Sequence, residues 1–494
     1  MSKFTSLVKN TRWYFGANTL GSILSLVLVP LYTNYLSPGD YGIIAIIMLI
    51  TNLVSCFSTF GLEYFCNRVI IRFRDDSKKL QLLLGNIYLV IIILMVLTSL
   101  VLSLFTNFFY NYFFDENTNL TASIILLPIW LSFFQRIVKV GNHYLIYTSQ
   151  GNKYFSFNSS QIILLHTIKV IALIIYKAGV IGFLFAELFV QIILSLSYII
   201  YLKKNLNPKI IIGKKNILKL GFRYSFPFIF QNFSTWTMQY VDRIFLLKLL
   251  NMWSIGLYSF SLAMSRMLVE GLWGAVDRGV LPEIANRLDS KSTLRSSEKY
   301  IIEYVLIFSI FSSFAGLVIC LFSKELLLLV VNDRFQESYL TIPFFILALI
   351  FEKIKSFFYI PVQLKLKTWF YVFNSFCGAI LNIILCNSLI PIYGIIGAAI
   401  SITISSLLIT LMALYYAQKL IFINYNYFLT IFPLLTAIIL FIPKIFFEFS
   451  IIGAFTLNLT ISIISFIIST ILVKRYCPRT WIEILKIKKK FFFS

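Results

Sequence analysis

Charge is scarce in this sequence. Only 13% of its 494 residues are charged, and acids supply just 20 of them. Soluble chains average about 25% charged residues, so this one lacks the surface that water requires. Histidine occurs twice, at His143 and His166, and six cysteines (Cys56, Cys66, Cys320, Cys377, Cys386, Cys477) form no CxxC spacing. A disulfide framework or a structural metal site is left without support, and the thiols read as small apolar residues within helices. No Walker-type phosphate loop and no nucleophile motif occurs. ATP hydrolysis and covalent catalysis therefore have no sequence basis, and no catalytic residue, metal or cofactor is expected.

What abounds is apolar surface: 59% of residues are hydrophobic, and the mean hydropathy is +0.86. One globular core cannot hide that much, whereas lipid accepts it. A span needs roughly 20 apolar residues, because a helix rises about 1.5 Å per residue and the hydrocarbon layer is about 30 Å thick. Backbone polar groups find no partners in lipid, so the spans must be helices. Hydropathy predicts fourteen of them: 13–36, 41–60, 82–106, 121–140, 159–177, 179–202, 222–249, 254–276, 300–322, 339–360, 369–392, 394–418, 427–445 and 450–473. Two joints are tight, Ala178-Gly179 and Tyr393-Gly394, where glycine permits a sharp reversal. The chain reads as an all-α polytopic membrane protein.

A net charge of +23 in a soluble protein would suggest nucleic acid. Here no nucleic-acid partner is implied, because the basic residues fall in alternate loops. Thirty-five of the 43 Lys and Arg lie on one side of the fourteen-span scheme. The positive-inside rule puts that side, and both termini, in the cytoplasm. Lys3, Lys9 and Arg12 precede an apolar stretch too long for a signal h-region, which reads as an uncleaved first span. The basic tail, with Lys486, Lys488, Lys489 and Lys490, suits anionic membrane lipid at about 1 kcal/mol per charge.

The chain also repeats itself. Gly179-Val-Ile-Gly182 and Gly394-Ile-Ile-Gly397 are 215 residues apart, and Pro38-Gly-Asp-Tyr-Gly42 matches Met252-Trp-Ser-Ile-Gly256 at an offset of 214. An even number of spans separates equivalents, so the two repeats run parallel. The expected organisation is a six-helix lobe (1–202), a cytoplasmic linker (203–220), a second six-helix lobe (221–418), two extra helices (419–473) and a basic tail (474–494). Repeated halves are a common transporter plan, with the substrate path between them.

Charges inside spans point to function, since each costs about 2.5–3.5 kcal/mol at a helix centre without a partner or a wet cavity. Lys169 and Glu187 flank the 178–179 joint at similar depth and are expected to face one another or share a polar layer. His166 lies one turn before Lys169 on the same face. Asp242 and Arg243 lie on a span with a polar stripe of Gln231, Thr235, Gln239 and Asp242. The 214 offset carries Asn18 and Ser25 of the first span onto Asn232 and Gln239, so all four are candidate cavity-lining residues, with interhelical hydrogen bonding the alternative. Arg266 and Glu270 stand at i,i+4, close enough to pair. Arg243, Arg266 and Lys169 are candidate cavity cations, and a guanidinium binds phosphate bidentately. Asp242, Glu270 and Glu187 are candidate ion-coupling or paired acids.

Three segments carry a resemblance: Tyr32-Thr-Asn-Tyr-Leu-Ser-Pro-Gly-Asp-Tyr-Gly42, Tyr240-Val-Asp-Arg243 and Ile255-Gly-Leu-Tyr-Ser259. Through them the chain, over nearly its whole length, resembles the Wzx-type polysaccharide flippases. Their superfamily also holds MATE drug exporters and the lipid II flippase. The resemblance implies a V-shaped two-lobe transporter in the bacterial inner membrane. It would carry undecaprenyl-pyrophosphate-linked oligosaccharide repeat units for O-antigen or capsule by alternating access, without being an enzyme. The partners it implies are the lipid-linked oligosaccharide, a polysaccharide polymerase and a chain-length regulator. Lipid II flippases carry several cavity arginines near the start of the first helix; only Arg12 stands there, which argues against lipid II as cargo. Two alternatives are kept. A MATE-like cation-coupled exporter would concentrate acids in the first lobe, where Glu187 is the only one well inside a span. A membrane-embedded polymerase or glycosyltransferase would need a larger outer loop than 107–120 or 323–338.

Overall fold

Helix is the only regular secondary structure among the described residues, as hydrocarbon requires. The structure, a computed structural model, describes residues 3–73, 76–114, 121–148, 150–206, 215–269, 294–365, 367, 369–425 and 451–476. In order the helices are α1 (Lys3–Tyr35), α2 (Pro38–Ser58), α3 (Leu62–Arg72), α4 (Ser77–Ser103), α5 (Thr106–Phe113), α6 (Leu126–Tyr147) and α7 (Gly151–Ile174). There follow α8 (Gly179–Asn205), α9 (Lys215–Leu249), α10 (252–269), α11 (Leu294–Val330), α12 (Ile342–Leu364), α13 (Trp369–Leu420) and α14 (Ile451–Tyr476).

Among the described residues, eight helices are long and apolar enough to cross a membrane. One is α13, whose 52 residues are broken at Gly394 (φ +57°), so it holds two expected spans. Thirteen of the fourteen expected segments coincide with described helix; 427–445 lies outside the described residues, as does 254–276 beyond residue 269. The joint at Gly179 also takes a left-handed φ of +55°, the conformation for which glycine was singled out. Hydropathy did not reveal α3 and α5, which are too short to span, nor the 3-10 segment Asp333–Leu340.

The repeat is visible in how its helices begin. Ser37 caps α2: its Oγ accepts from the Asp40 N–H at 3.2 Å, and the Asp40 carboxylate accepts from the Ser37 N–H at 2.9 Å. Pro38 occupies the first turn, where a missing N–H costs nothing. At the position 214 residues on, Asn251 caps α10 by accepting from the Ser254 N–H at 2.9 Å. The glycines that follow are reciprocal. A Cβ at Gly42 would lie 2.1 Å from the Met252 carbonyl oxygen, and one at Gly256 would lie 1.7 Å from that of Pro38. Each glycine thus abuts the start of the other's motif, the relation a local two-fold axis imposes.

Two compact units are present. The first holds residues 1–260 and 368–401; its core gathers Leu62, Ile70, Leu84, Met95, Leu145, Val190 and Tyr198. Trp236 Nε1–H donates to the Leu49 carbonyl at 3.1 Å, and Asn382 Nδ2 to that of Met238 at 3.0 Å. The second holds 261–367 and 402–494. Within it, Thr403 and Thr410 donate to the Phe344 and Phe351 carbonyls at 2.8 and 3.0 Å, tying α13 to α12. Asn458 Nδ2 of α14 donates to the Leu321 carbonyl at 2.9 Å and to Glu325 Oε1 at 3.0 Å.

Replacing Gly256 by alanine is expected to lower the midpoint of thermal unfolding in detergent. The cost should reach at least the roughly 1–3 kcal/mol of an overpacked core. Gly39→Ala, whose Cβ would meet Ser37 Oγ only at 3.6 Å, should leave the midpoint nearly unchanged.

Candidate functional site

Within the first unit, ionised groups are gathered at three places. The first joins α7 and α8. Lys169 Nζ donates to Glu187 Oε2 at 2.8 Å, with both side chains largely buried. Their equal distance from the reversal at 178–179 makes them meet, because antiparallel helices place equidistant residues at equal depth. The ammonium also lies 3.9 Å from the centre of the Phe183 ring, a cation–π contact. His166, one turn before Lys169, reaches α1: Nε2 is 3.2 Å from Ser25 Oγ and Nδ1 is 2.7 Å from the Tyr32 hydroxyl. A neutral imidazole has one donor and one acceptor nitrogen, and hydroxyls satisfy either. Tyr32 in turn meets Phe183 edge-on at 5.4 Å. Predicted residues from three helices are thus brought near one another: Lys169 meets Glu187, and His166, one turn from Lys169, meets Ser25.

The second place joins α9 and α10. Asp242 is wholly buried, and Arg243 nearly so. One Asp242 oxygen accepts from the Arg243 backbone N–H at 2.7 Å and from its Nη1 at 3.0 Å; the other accepts from the Tyr258 hydroxyl. Nη1 also donates to the Gln239 carbonyl at 2.7 Å, and the guanidinium lies over the rings of Tyr240 and Tyr258. Arg243, a candidate cavity cation, and Asp242, a candidate ion-coupling or paired acid, neutralise one another between α9 and α10. Burial makes this necessary, since a guanidinium in a low-dielectric interior requires a counter-charge.

The third place joins α2, α3 and α6, and sequence reasoning missed it. Arg136 Nη1 donates to both oxygens of Glu63, at 2.9 and 3.0 Å, and its Nε to Ser55 Oγ at 2.8 Å. Lys139 Nζ stands 3.7 Å from the same carboxylate. Arg136 and Lys139 read as boundary charges of the basic side, yet Arg136 is buried. The available signal was Glu63, an acid just after a span in a stretch otherwise basic. Burial pushes the Glu63 carboxyl up, but the charges of Arg136 and Lys139 outweigh it and hold it down at about 2.

The remaining expected residues are scattered. Asn232 accepts at Oδ1 from the Tyr64 hydroxyl at 2.9 Å, linking α9 to α3. Gln239 is half-buried beside Arg243, and Arg266 is half-buried on α10. Glu270, and the side chain of Asn18, lie outside the described residues, so neither the Arg266–Glu270 pair nor the Asn18 position is described.

Among the described residues, eight helices long and apolar enough to cross a membrane mark a multi-pass membrane protein. Residues 7–287, more than half of the chain, match the family model described as polysaccharide biosynthesis protein, and the chain belongs to that family. Solved structures share the fold. A lipid II flippase MurJ, in an inward closed conformation, has a TM-score of 0.70 at 15% identity, over 95% of this chain and 99% of that one. The Vibrio cholerae MATE transporter VcmN gives 0.59 at 13% identity, over 84% and 98%. An inward-facing multidrug resistance MATE transporter of the MOP superfamily gives 0.58 at 12% identity, over 82% and 94%. No curated protein matches the chain.

Breaking the third cluster is expected to be costly. Glu63→Gln should lower unfolding stability by about 3–5 kcal/mol, because it strands buried Arg136. The pH dependence follows from the depressed carboxyl. Its stabilisation is complete above the ordinary value of 4.5 and is lost as pH falls toward about 2. Glu63→Gln should therefore flatten the loss of stability that the parent protein shows below pH 4.5.

Proposed function

We propose that this protein is a flippase that moves undecaprenyl-pyrophosphate-linked oligosaccharide repeat units, for O-antigen or capsule, across the bacterial cytoplasmic membrane. Family membership supports a place in polysaccharide biosynthesis, and the fold supports transport. The observation that carries the reading is the Lys169–Glu187 pair, with His166 one turn from Lys169 on α7 bonded to Ser25 and Tyr32 of α1. Such a layer inside the spans is costly unless it is used, because hydrocarbon side chains would pack there without desolvation.

The proposed cycle is alternating access between the 1–202 and 221–418 lobes, with both termini in the cytoplasm. The charged diphosphate and glycan enter a path from the cytoplasm while the polyprenyl tail stays in lipid. Lys169 and Arg266 favour loading of the anion. Glu187 is the candidate coupling acid: it holds Lys169, and loosening of that pair frees the ammonium for the cargo. Glu270 is the second candidate acid. Asp242 and Arg243, neutralised and enclosed, serve this cycle by holding α9 to α10. No covalent step is needed.

Deletion of the gene is expected to make undecaprenyl-pyrophosphate-linked repeat units accumulate on the cytoplasmic leaflet, with loss of surface polysaccharide. Lys169→Ala should abolish complementation, and Lys169→Ala with Glu187→Ala should recover folding but not transport. An unchanged distribution of lipid-linked units, with new sensitivity to cationic compounds, would replace this reading by that of an exporter.

A further inference from the structure

The α6 helix is buried over most of its length, and from Gln135 onward its open face is mostly polar. Gln135, Lys139, His143 and Tyr147 follow one another at intervals of four, and such residues form a single stripe along a helix. They cover about 18 Å of its length. Lys139 is 48% exposed and Tyr147 38%, while Gln135 and His143 are half-buried. Their neighbours Leu131, Ile137, Val138, Val140, Tyr144 and Leu145 are all buried. An ammonium half open on the side of a spanning helix borders water rather than acyl chains.

The charges on this face do not balance. Glu63 carries one negative charge for two cations, and Arg136 takes both its oxygens at 2.9–3.0 Å. Lys139 is left at 3.7 Å, beyond hydrogen-bond length, with half its surface open. The cluster therefore presents one net positive charge at the deep end of the stripe. His143 stands one turn farther along, half-buried, with its Nδ1 turned into the interior and without a hydrogen-bond partner among the described residues, so Lys139 is the cation this face offers.

We propose that the Gln135–Lys139–His143–Tyr147 face of α6 is the track along which the cargo's diphosphate travels, with Lys139 its deep anion-binding cation. The assignment rests on the flippase reading and adds a site to it. Glu63 and Arg136 are positioning residues: they fix α3 against α6 and hold the ammonium at the track. The ligand class is an isoprenyl diphosphate; the glycan and the length of the lipid are read elsewhere.

The test uses the full-length protein in nanodiscs with farnesyl diphosphate as probe. Lys139→Ala should weaken binding about tenfold, the loss expected for one charge-assisted hydrogen bond, and Lys139→Arg should largely restore it. Lys153→Ala, at a cation bonded to Tyr201 on another face, should leave binding unchanged. A second measurement avoids any folding defect at Lys139. The thiol introduced by Tyr147→Cys should react with a membrane-impermeant reagent, and farnesyl diphosphate should slow that reaction. Binding by Lys139→Ala within twofold of the parent, or a thiol inert to the reagent in the Tyr147→Cys protein, overturns the track. If Lys139→Ala fully restores surface polysaccharide to the deletion strain, the track fails while the flippase reading stands. If the deletion strain accumulates no lipid-linked units, the flippase reading itself fails.

Discussion

An ionised side chain carried into hydrocarbon must bring its counter-charge with it, and that requirement decides where helices of the first unit meet. Lys169 meets Glu187 at 2.8 Å and joins α7 to α8. Asp242 holds Arg243 and the Tyr258 hydroxyl and joins α9 to α10. Glu63 holds Arg136 and joins α3 to α6. Apolar side chains would tolerate several registers between these helices, because one leucine packs much like another. A buried charge tolerates only the register that supplies its partner, since an orphaned one costs about 3–5 kcal/mol. The Lys169–Glu187 and Glu63–Arg136 pairs therefore act as register pins, whereas Asp242 and Arg243 are neighbours on α9 and the Tyr258 hydroxyl makes the contact to α10.

The duplicated architecture rests on a different constraint, that of backbone approach. Gly42 and Gly256 each lie where any Cβ would collide with the carbonyl opening the other's helix. Ser37 and Asn251, also 214 residues apart, cap those two helices by the same kind of side-chain acceptor. The two halves share little else in sequence. Helix initiation and close contact demand these residue types at both places, whereas hydrocarbon discriminates weakly among the side chains that face it.

The three charged clusters differ in what they leave over. Asp242 and Arg243 cancel within one enclosed pair, and their remaining donors and acceptors are taken by Tyr258 and the Gln239 carbonyl. Lys169 and Glu187 also cancel, but His166, one turn from Lys169 on the same helix, touches the hydroxyls of α1 and so brings in a third helix. The Glu63 cluster alone of these three has a surplus, one cation beyond its carboxylate. An enclosed pair, a pair across a hairpin and an unbalanced triad are distinct chemical devices.

The sequence by itself determined the membrane class, the position of most spans, the two glycine reversals and the 214-residue repeat. It also anticipated the Lys169–Glu187 contact. All of these are local or periodic: hydropathy over about 20 residues, a glycine at a turn, equal distances along one hairpin. The Glu63–Arg136 pair, separated by 73 positions, and the enclosure of Arg243 by Tyr258 were left to the tertiary structure, as was the reciprocal meeting of Gly42 and Gly256. Each depends on which helix faces are brought together. Charge spacing along a chain cannot express that, because packing among many apolar helices selects the neighbours.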